Sequence, residues 1–154
     1  MNRTKHMRGC GQTFEGSSEC SVSAEAVWAA WTNPAAWQGG PVKAANIDAD
    51  FVVGATITTK VWGYPPITSR VSHIDPMRMW IAVSVRPGLT MTMEHVIQRA
   101  DPDPNTLVVE RLHMAGALAG IAARLFGKRL ESLLGATTVH IAGLAQARVS
   151  GQPQ

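Results

Sequence analysis

The architecture of the chain turns on its last long stretch, Ala117–Arg148, which runs ALAGIAARLFGKRLESLLGATTVHIAGLAQAR. It contains no proline, and Ala119, Ala122, Phe126, Leu130, Leu133, Thr137, Ile141 and Leu144 recur every three or four positions. That period lays an apolar stripe along one face of a helix and leaves Arg124, Lys128 and Glu131 towards water. At about 1.5 Å per residue, an unbroken helix of this length reaches roughly 45 Å. Such a helix needs a broad apolar partner. Gly127 and Gly135 each weaken it by up to about 1 kcal/mol relative to alanine, so a bend or break is expected there.

The partner lies in the preceding residues. Gln12 to Val22 alternates, with Phe14, Gly16, Ser18, Cys20 and Val22 on one side and Thr13, Glu15, Ser17 and Glu19 on the other. This predicts a half-buried strand with small residues where another element approaches closely. Ser23 caps a short helix with Glu25 in its first turn and Val27, Trp28, Ala30 and Trp31 as its bulky face, ended by Asn33-Pro34. A second short helical turn carries Trp37 before Gly39-Gly40-Pro41. Strand-like runs follow at Val42–Ile47, Gly54–Trp62, Ile67–Ile74, Arg78–Arg86, Leu89–Ala100 and Asn105–Met114. They are joined by turn chemistry such as Gly63-Tyr64-Pro65-Pro66, Asp75-Pro76, Pro87-Gly88 and Asp101-Pro102-Asp103-Pro104. Tight turns join antiparallel neighbours, so the middle of the chain is a meander. Residues 1–11 are expected to be a disordered tail, 12–148 one domain and 149–154 a flexible end.

The 154 residues suit one domain with a real core, and 45% apolar against 16% charged residues argues against disorder. The net charge of +3 is matched by Arg3, Lys5 and Arg8 in the first ten residues; without them eleven basic residues balance eleven acidic ones. No nucleic-acid stripe follows from such a distribution. Cys10 and Cys20 make no disulfide framework, and no secretory signal follows the basic start, so a reducing, cytoplasmic location is expected. The apolar window 114–123 is too short to span a bilayer, and no stable membrane insertion is expected.

The segment Val22-Ser23-Ala24-Glu25-Ala26-Val27-Trp28, followed by Thr32-Asn33-Pro34 and Trp37, resembles the opening of the START-like SRPBCC superfamily. His95 and Ile97 in a long strand, the Thr106-Leu107-Val108-Val109 run in its partner and Gly116 before the last helix extend the resemblance over roughly residues 12–148. It implies an α+β helix-grip: a curved seven-stranded antiparallel sheet around the C-terminal helix, with a ligand cavity between. It also implies a range of functions, from lipid-transfer domains and coenzyme Q carriers to polyketide cyclase/dehydrases and aromatases. Fold alone does not choose among them.

Closing the hairpins around residues 101–104 and 87–88 pairs Ala100 with Asn105, His95 with Glu110, Trp80 with His95, Ala82 with Met93, and Ser84 with Met91. Met91, Met93, His95 and Ile97 then share an apolar, inward face with Val108, Glu110, Leu112 and Met114. Continuing the register puts Ser69, Val71 and His73 inward on their strand, and Ile57, Thr59 and Val61 beyond them. His95 and Glu110 are the candidate catalytic pair, since a carboxylate beside an imidazole raises the histidine pKa and orients the ring for proton transfer. The expected cavity wall comprises Trp28, Thr59, Ser69, His73, Trp80, Ser84, Met91, Met93, Ile97, Leu112, Met114, Phe126 and Leu130. Tyr64 sits in a turn placed to gate the entrance.

No HExxH, Cys-x-x-Cys, phosphate-cradling glycine loop or Gly-x-Ser-x-Gly elbow occurs, so no metal or other cofactor is expected. The leading expectation is binding of a small hydrophobic or amphipathic molecule (lipid, quinone or polyketide-like) for sequestration or transport. The alternatives are a cyclase/dehydratase using His95 and Glu110, and a protein-interaction module, such as a toxin–antitoxin component, with a vestigial cavity. The edge near Val42 or the turn at 63–66 is where a homodimer would pair.

Overall fold

The computed structural model describes residues 11–99 and 105–151. In chain order these form β1 (Gln12–Cys20), α1 (Ala24–Trp31), a 3-10 turn (Pro34–Ala36), β2 (Val42–Ile47), β3 (Thr56–Val61), β4 (Ile67–Asp75), β5 (Met79–Arg86), β6 (Leu89–Arg99), β7 (Thr106–Ala115) and α2 (Ala119–Ser150). The seven strands make one antiparallel sheet in the order β1-β7-β6-β5-β4-β3-β2. Consecutive strands from β2 to β7 are neighbours, as a meander requires. The first strand crosses back to pair with the last, so β1 and β2 are the edges.

The entry into α1 follows the sequence chemistry. The Ser23 side chain accepts a hydrogen bond from the Ala26 amide at 3.3 Å, and Glu25 lies in the first turn. Ser23→Ala is expected to cost about 1 kcal/mol, read as a lower urea midpoint at unchanged m-value. Trp31 is buried, and Trp37 is anchored by its indole N–H donating to the Ala30 carbonyl at 3.1 Å. Thr106 Oγ1 donates to the Val22 carbonyl at 2.6 Å and ties the start of β7 to the turn before α1.

α2 is a continuous helix of 32 residues capped by Gly151 in the left-handed conformation (φ 65°). It does not break at Gly127 or Gly135. Gly127 is instead approached closely by the Phe14 ring, and the helix backbone at Leu134 and Gly135 rests on Gly16 of β1, while a methyl on Gly135 itself would meet open space. The buried face passes through Ala119, Gly127, Leu134, Thr138, Ile141, Ala142, Leu144 and Ala145, so Ala119, Ile141 and Leu144 of the expected stripe are buried as expected. Across the middle of the helix this face is rotated by about one residue from the expected stripe, which leaves Phe126 43% exposed. Small residues set this phase: glycine adds no hydrophobicity to a periodic pattern, yet allows the nearest backbone approach. The opposite face carries Leu118, Ile121 and Leu125, all exposed.

Beneath the helix are two apolar clusters. One gathers Trp31, Trp37, Trp80, Ile57, Val71, Ile97 and Ile141, and the other gathers Leu112, Met114, Ala119 and Leu134 with Phe14, Met91, Met93 and Leu130 at its margin. No helix among the described residues is long and apolar enough to cross a membrane.

Candidate functional site

The register of the β5–β6–β7 sheet centre is the expected one: His95 lies opposite both Trp80 and Glu110, Met93 opposite Ala82 and Leu112, and Met91 opposite Ser84 and Met114. Ala100 of the expected Ala100–Asn105 pair lies outside the described residues. Side chains opposite one another share a face, so His95 and Glu110 point together into the molecule. Gly16 of β1 is the other neighbour of Glu110, and the backbone of α2 rests on it.

His95 and Glu110 are 7% and 3% exposed, and Nε2 lies 3.8 Å from Oε1, beyond hydrogen-bond reach. The imidazole stacks on Trp80 with ring centroids 3.5 Å apart and planes 2° from parallel, and meets Trp31 edge-on at 5.5 Å. The Trp31 indole N–H donates to the Glu110 carboxyl. Phe51 packs edge-on against Trp80, and Trp37 stacks at 6.0 Å. The pair is therefore embedded in an aromatic layer.

That environment reverses the expected electrostatics. Burial pushes the imidazole down from 6.5 to about 3 and the carboxyl up from 4.5 to about 8. Desolvation penalises whichever form is charged, and it is the largest cause of both shifts. At neutral pH both are uncharged, so the carboxylate expected to raise the histidine pKa is not a carboxylate. His95 Nδ1 and Trp80 Nε1 are buried and have no hydrogen-bond partner among the described residues.

Of the expected wall residues, Trp80, Ser84, Ile97, Leu112 and Met114 are buried, while Met91, Met93, Leu130, Trp28, Thr59 and Ser69 are half-buried. His73 is not inward. Val71 pairs with Ala82 and His73 with Ile81, which leaves Ser72 as an extra residue in β4. This bulge shifts the alternation by one, exposes His73 and turns Ile74, opposite Trp80, inward in its place. Phe126 is likewise displaced from the interior by the rotated phase of α2.

A groove of about 710 Å³ opens between the β3–β4 turn and the middle of α2, lined by Trp62, Gly63, Tyr64, Lys128, Arg129, Ser132 and Leu133. Trp62 is 62% exposed and carries Lys43 Nζ 4.8 Å above its ring. Tyr64 reaches across to the Phe126 ring at 6.3 Å, and its hydroxyl is buried with no partner among the described residues. His95 and Glu110 do not line this groove. Of its residues, only Tyr64 stood out in the sequence. Trp62 and Lys128-Arg129 carry no periodic signal, although two aromatics bracketing a glycine, opposite a cation pair, are a legible hint once the hairpin faces the helix.

No protein-family model matches the sequence, and no curated protein matches it. Solved structures do match. Norcoclaurine synthase from Thalictrum flavum, in complex with dopamine and hydroxybenzaldehyde, aligns at a TM-score of 0.69 and 11% identity over 95% of this chain and 90% of that one. The Zhui aromatase/cyclase from Streptomyces sp. R1128 aligns at 0.69 and 18% identity, over 90% and 96%. The chain has the helix-grip fold. Ara h 8.0201 shares it at a TM-score of 0.59 and 12% identity, over 89% of this chain and 99% of that one. Within the helix-grip frame, α2 is the gripped helix, and the groove lies between its flank and the β3–β4 turn.

Proposed function

We propose that the protein binds a small hydrophobic or amphipathic molecule between α2 and the β3–β4 turn, for sequestration or transport rather than turnover. The groove carries this reading. Its volume of about 710 Å³ falls among those of ligand sites, and its walls combine Trp62, Tyr64 and Leu133 with a few polar groups. The likeness to a helix-grip synthase holding dopamine and hydroxybenzaldehyde supports the small-molecule part of this reading. Burial of His95 and Glu110 as neutral groups away from the groove weighs against proton transfer there.

Native mass spectrometry of the purified protein, followed by organic extraction, tests the proposal. A stoichiometric apolar or amphipathic adduct is expected, and Trp62→Ala together with Leu133→Ser should lower its occupancy at least tenfold, since each lost apolar wall is worth about 1.5–3 kcal/mol when fully covered. A protein that carries nothing and takes up no added amphiphile sinks the reading.

A second reading is a cyclase or dehydratase, favoured by the buried Trp80 Nε1–H and the adjacent His95 Nδ1, a donor in one neutral tautomer, neither of which has a partner among the described residues; together they suit a ligand carbonyl. It requires turnover that His95→Gln abolishes while the unfolding transition survives.

A further inference from the structure

The groove's chemistry is asymmetric along α2. Lys128 and Arg129 line it, and no acidic side chain among the described residues does. Counting back by three and four residues, the same exposed helix face continues as Leu125, Ile121 and Leu118, which are 67%, 60% and 46% exposed. Between Leu118 and Lys128 the helix rises about 15 Å, and its only charged residue before Lys128 is Arg124. The face is thus an apolar stripe that ends in a cation pair. Opposite that pair, the buried Tyr64 hydroxyl lacks a partner among the described residues, and Lys43 lies over Trp62 at the rim. A donor hydroxyl and cationic side chains together are complementary to an anionic group that accepts hydrogen bonds.

We infer that the ligand is an anionic amphiphile, with its carboxylate or phosphate held by Lys128, Arg129 and the Tyr64 hydroxyl and its apolar tail laid along Leu125, Ile121 and Leu118. This rests on the groove being the binding site. A neutral or cationic amphiphile would leave the two cations without a counter-charge and the hydroxyl without an acceptor. Because Lys128 and Arg129 are exposed, their contribution is that of surface ion pairs and falls with salt.

The test compares dodecanoate with dodecanol by isothermal titration at pH 7.5, below their aggregation limits, on the full chain. Dodecanoate should bind about tenfold more tightly, the ratio two exposed ion pairs supply. That ratio should fall towards one in the double variant Lys128→Gln, Arg129→Gln and at high salt, dodecanoate losing more affinity than dodecanol. Ile121→Ser with Leu125→Ser should weaken both probes alike. These substitutions are on the exposed face, so the unfolding midpoint should move little and serves as the control. Equal affinity for the two probes overturns the inference and leaves the groove as a site. Binding of neither overturns both. Capture by phosphatidylglycerol vesicles without uptake of free dodecanoate also overturns it, in favour of a membrane surface as the source of the anion.

Discussion

A Gly16→Val chain is expected to lose about 3 kcal/mol of stability, at the upper end for forcing extra atoms into a packed interior. A Cβ at Gly16 would fall within the van der Waals envelope of the α2 backbone at Leu134 and Gly135, so a rotamer change cannot relieve the clash. The helix must lift from β1, and the loss spreads to Leu134 and Leu112, which pack in the cluster below it. In a chain of this size each kcal/mol shifts the melting temperature by roughly 2–4 °C, giving an expected fall of about 6–12 °C. Gly135→Ala supplies the contrast. Its added methyl meets open space, and removing a mid-helix glycine is worth up to about 1 kcal/mol, so Tm should rise. If Gly16→Val melts like the parent, the helix is not seated on β1 as described.

The second large effect is a stability profile with a plateau and two falling arms. The His95 pKa is about 3 when folded against an ordinary 6.5, so its contribution is complete above pH 6.5 and is lost as pH falls towards 3. The Glu110 pKa is about 8 when folded against 4.5, so its contribution is complete below pH 4.5 and is lost as pH rises towards 8. Between pH 4.5 and 6.5 the gain from one offsets the loss from the other, and stability should be level as far as these two groups are concerned. On either side the slope should rise towards about 1.4 kcal/mol per pH unit, the linkage value for one proton. Urea midpoints measured from pH 3 to 8.5 would show this shape. Glu110→Gln should flatten the alkaline arm and turn the plateau into a continued rise up to pH 6.5, and His95→Gln should flatten the acid arm and start the alkaline fall at pH 4.5. A curve still rising from pH 6.5 to 8 would contradict a buried neutral pair.

Much of this arrangement was legible in the sequence because turns fix register. Pro87-Gly88 closes β5 onto β6, and the two strands then cannot slip without turning Met91, Met93 and Ile97 to water. The same logic placed His95 opposite Glu110. It failed one strand further on, because the bulge at Ser72 has no residue signature and reverses every position after it. The phase of α2 was missed for a related reason: hydrophobic periodicity detects large side chains, whereas the close contacts of this helix depend on missing ones, at Gly127 against the Phe14 ring and at Gly16 of β1 against the helix backbone. The groove was hardest to see. It needs Trp62 and Tyr64 to meet Lys128 and Arg129, two segments more than sixty residues apart whose approach depends on the curl of the sheet.

The distribution of tryptophans gives the protein an internal optical probe. Trp31, Trp37 and Trp80 are buried, with Trp28 half-buried, and Trp62 stands 62% exposed at the rim of the groove. Its emission should therefore lie to the red of the others and be the fraction that aqueous iodide quenches. An amphiphile settling against the ring would shift that component to the blue and shield it from the quencher, while emission from the interior stayed constant. Occupancy could then be followed in the unlabelled protein, and Trp62→Phe would silence the signal without disturbing the fold.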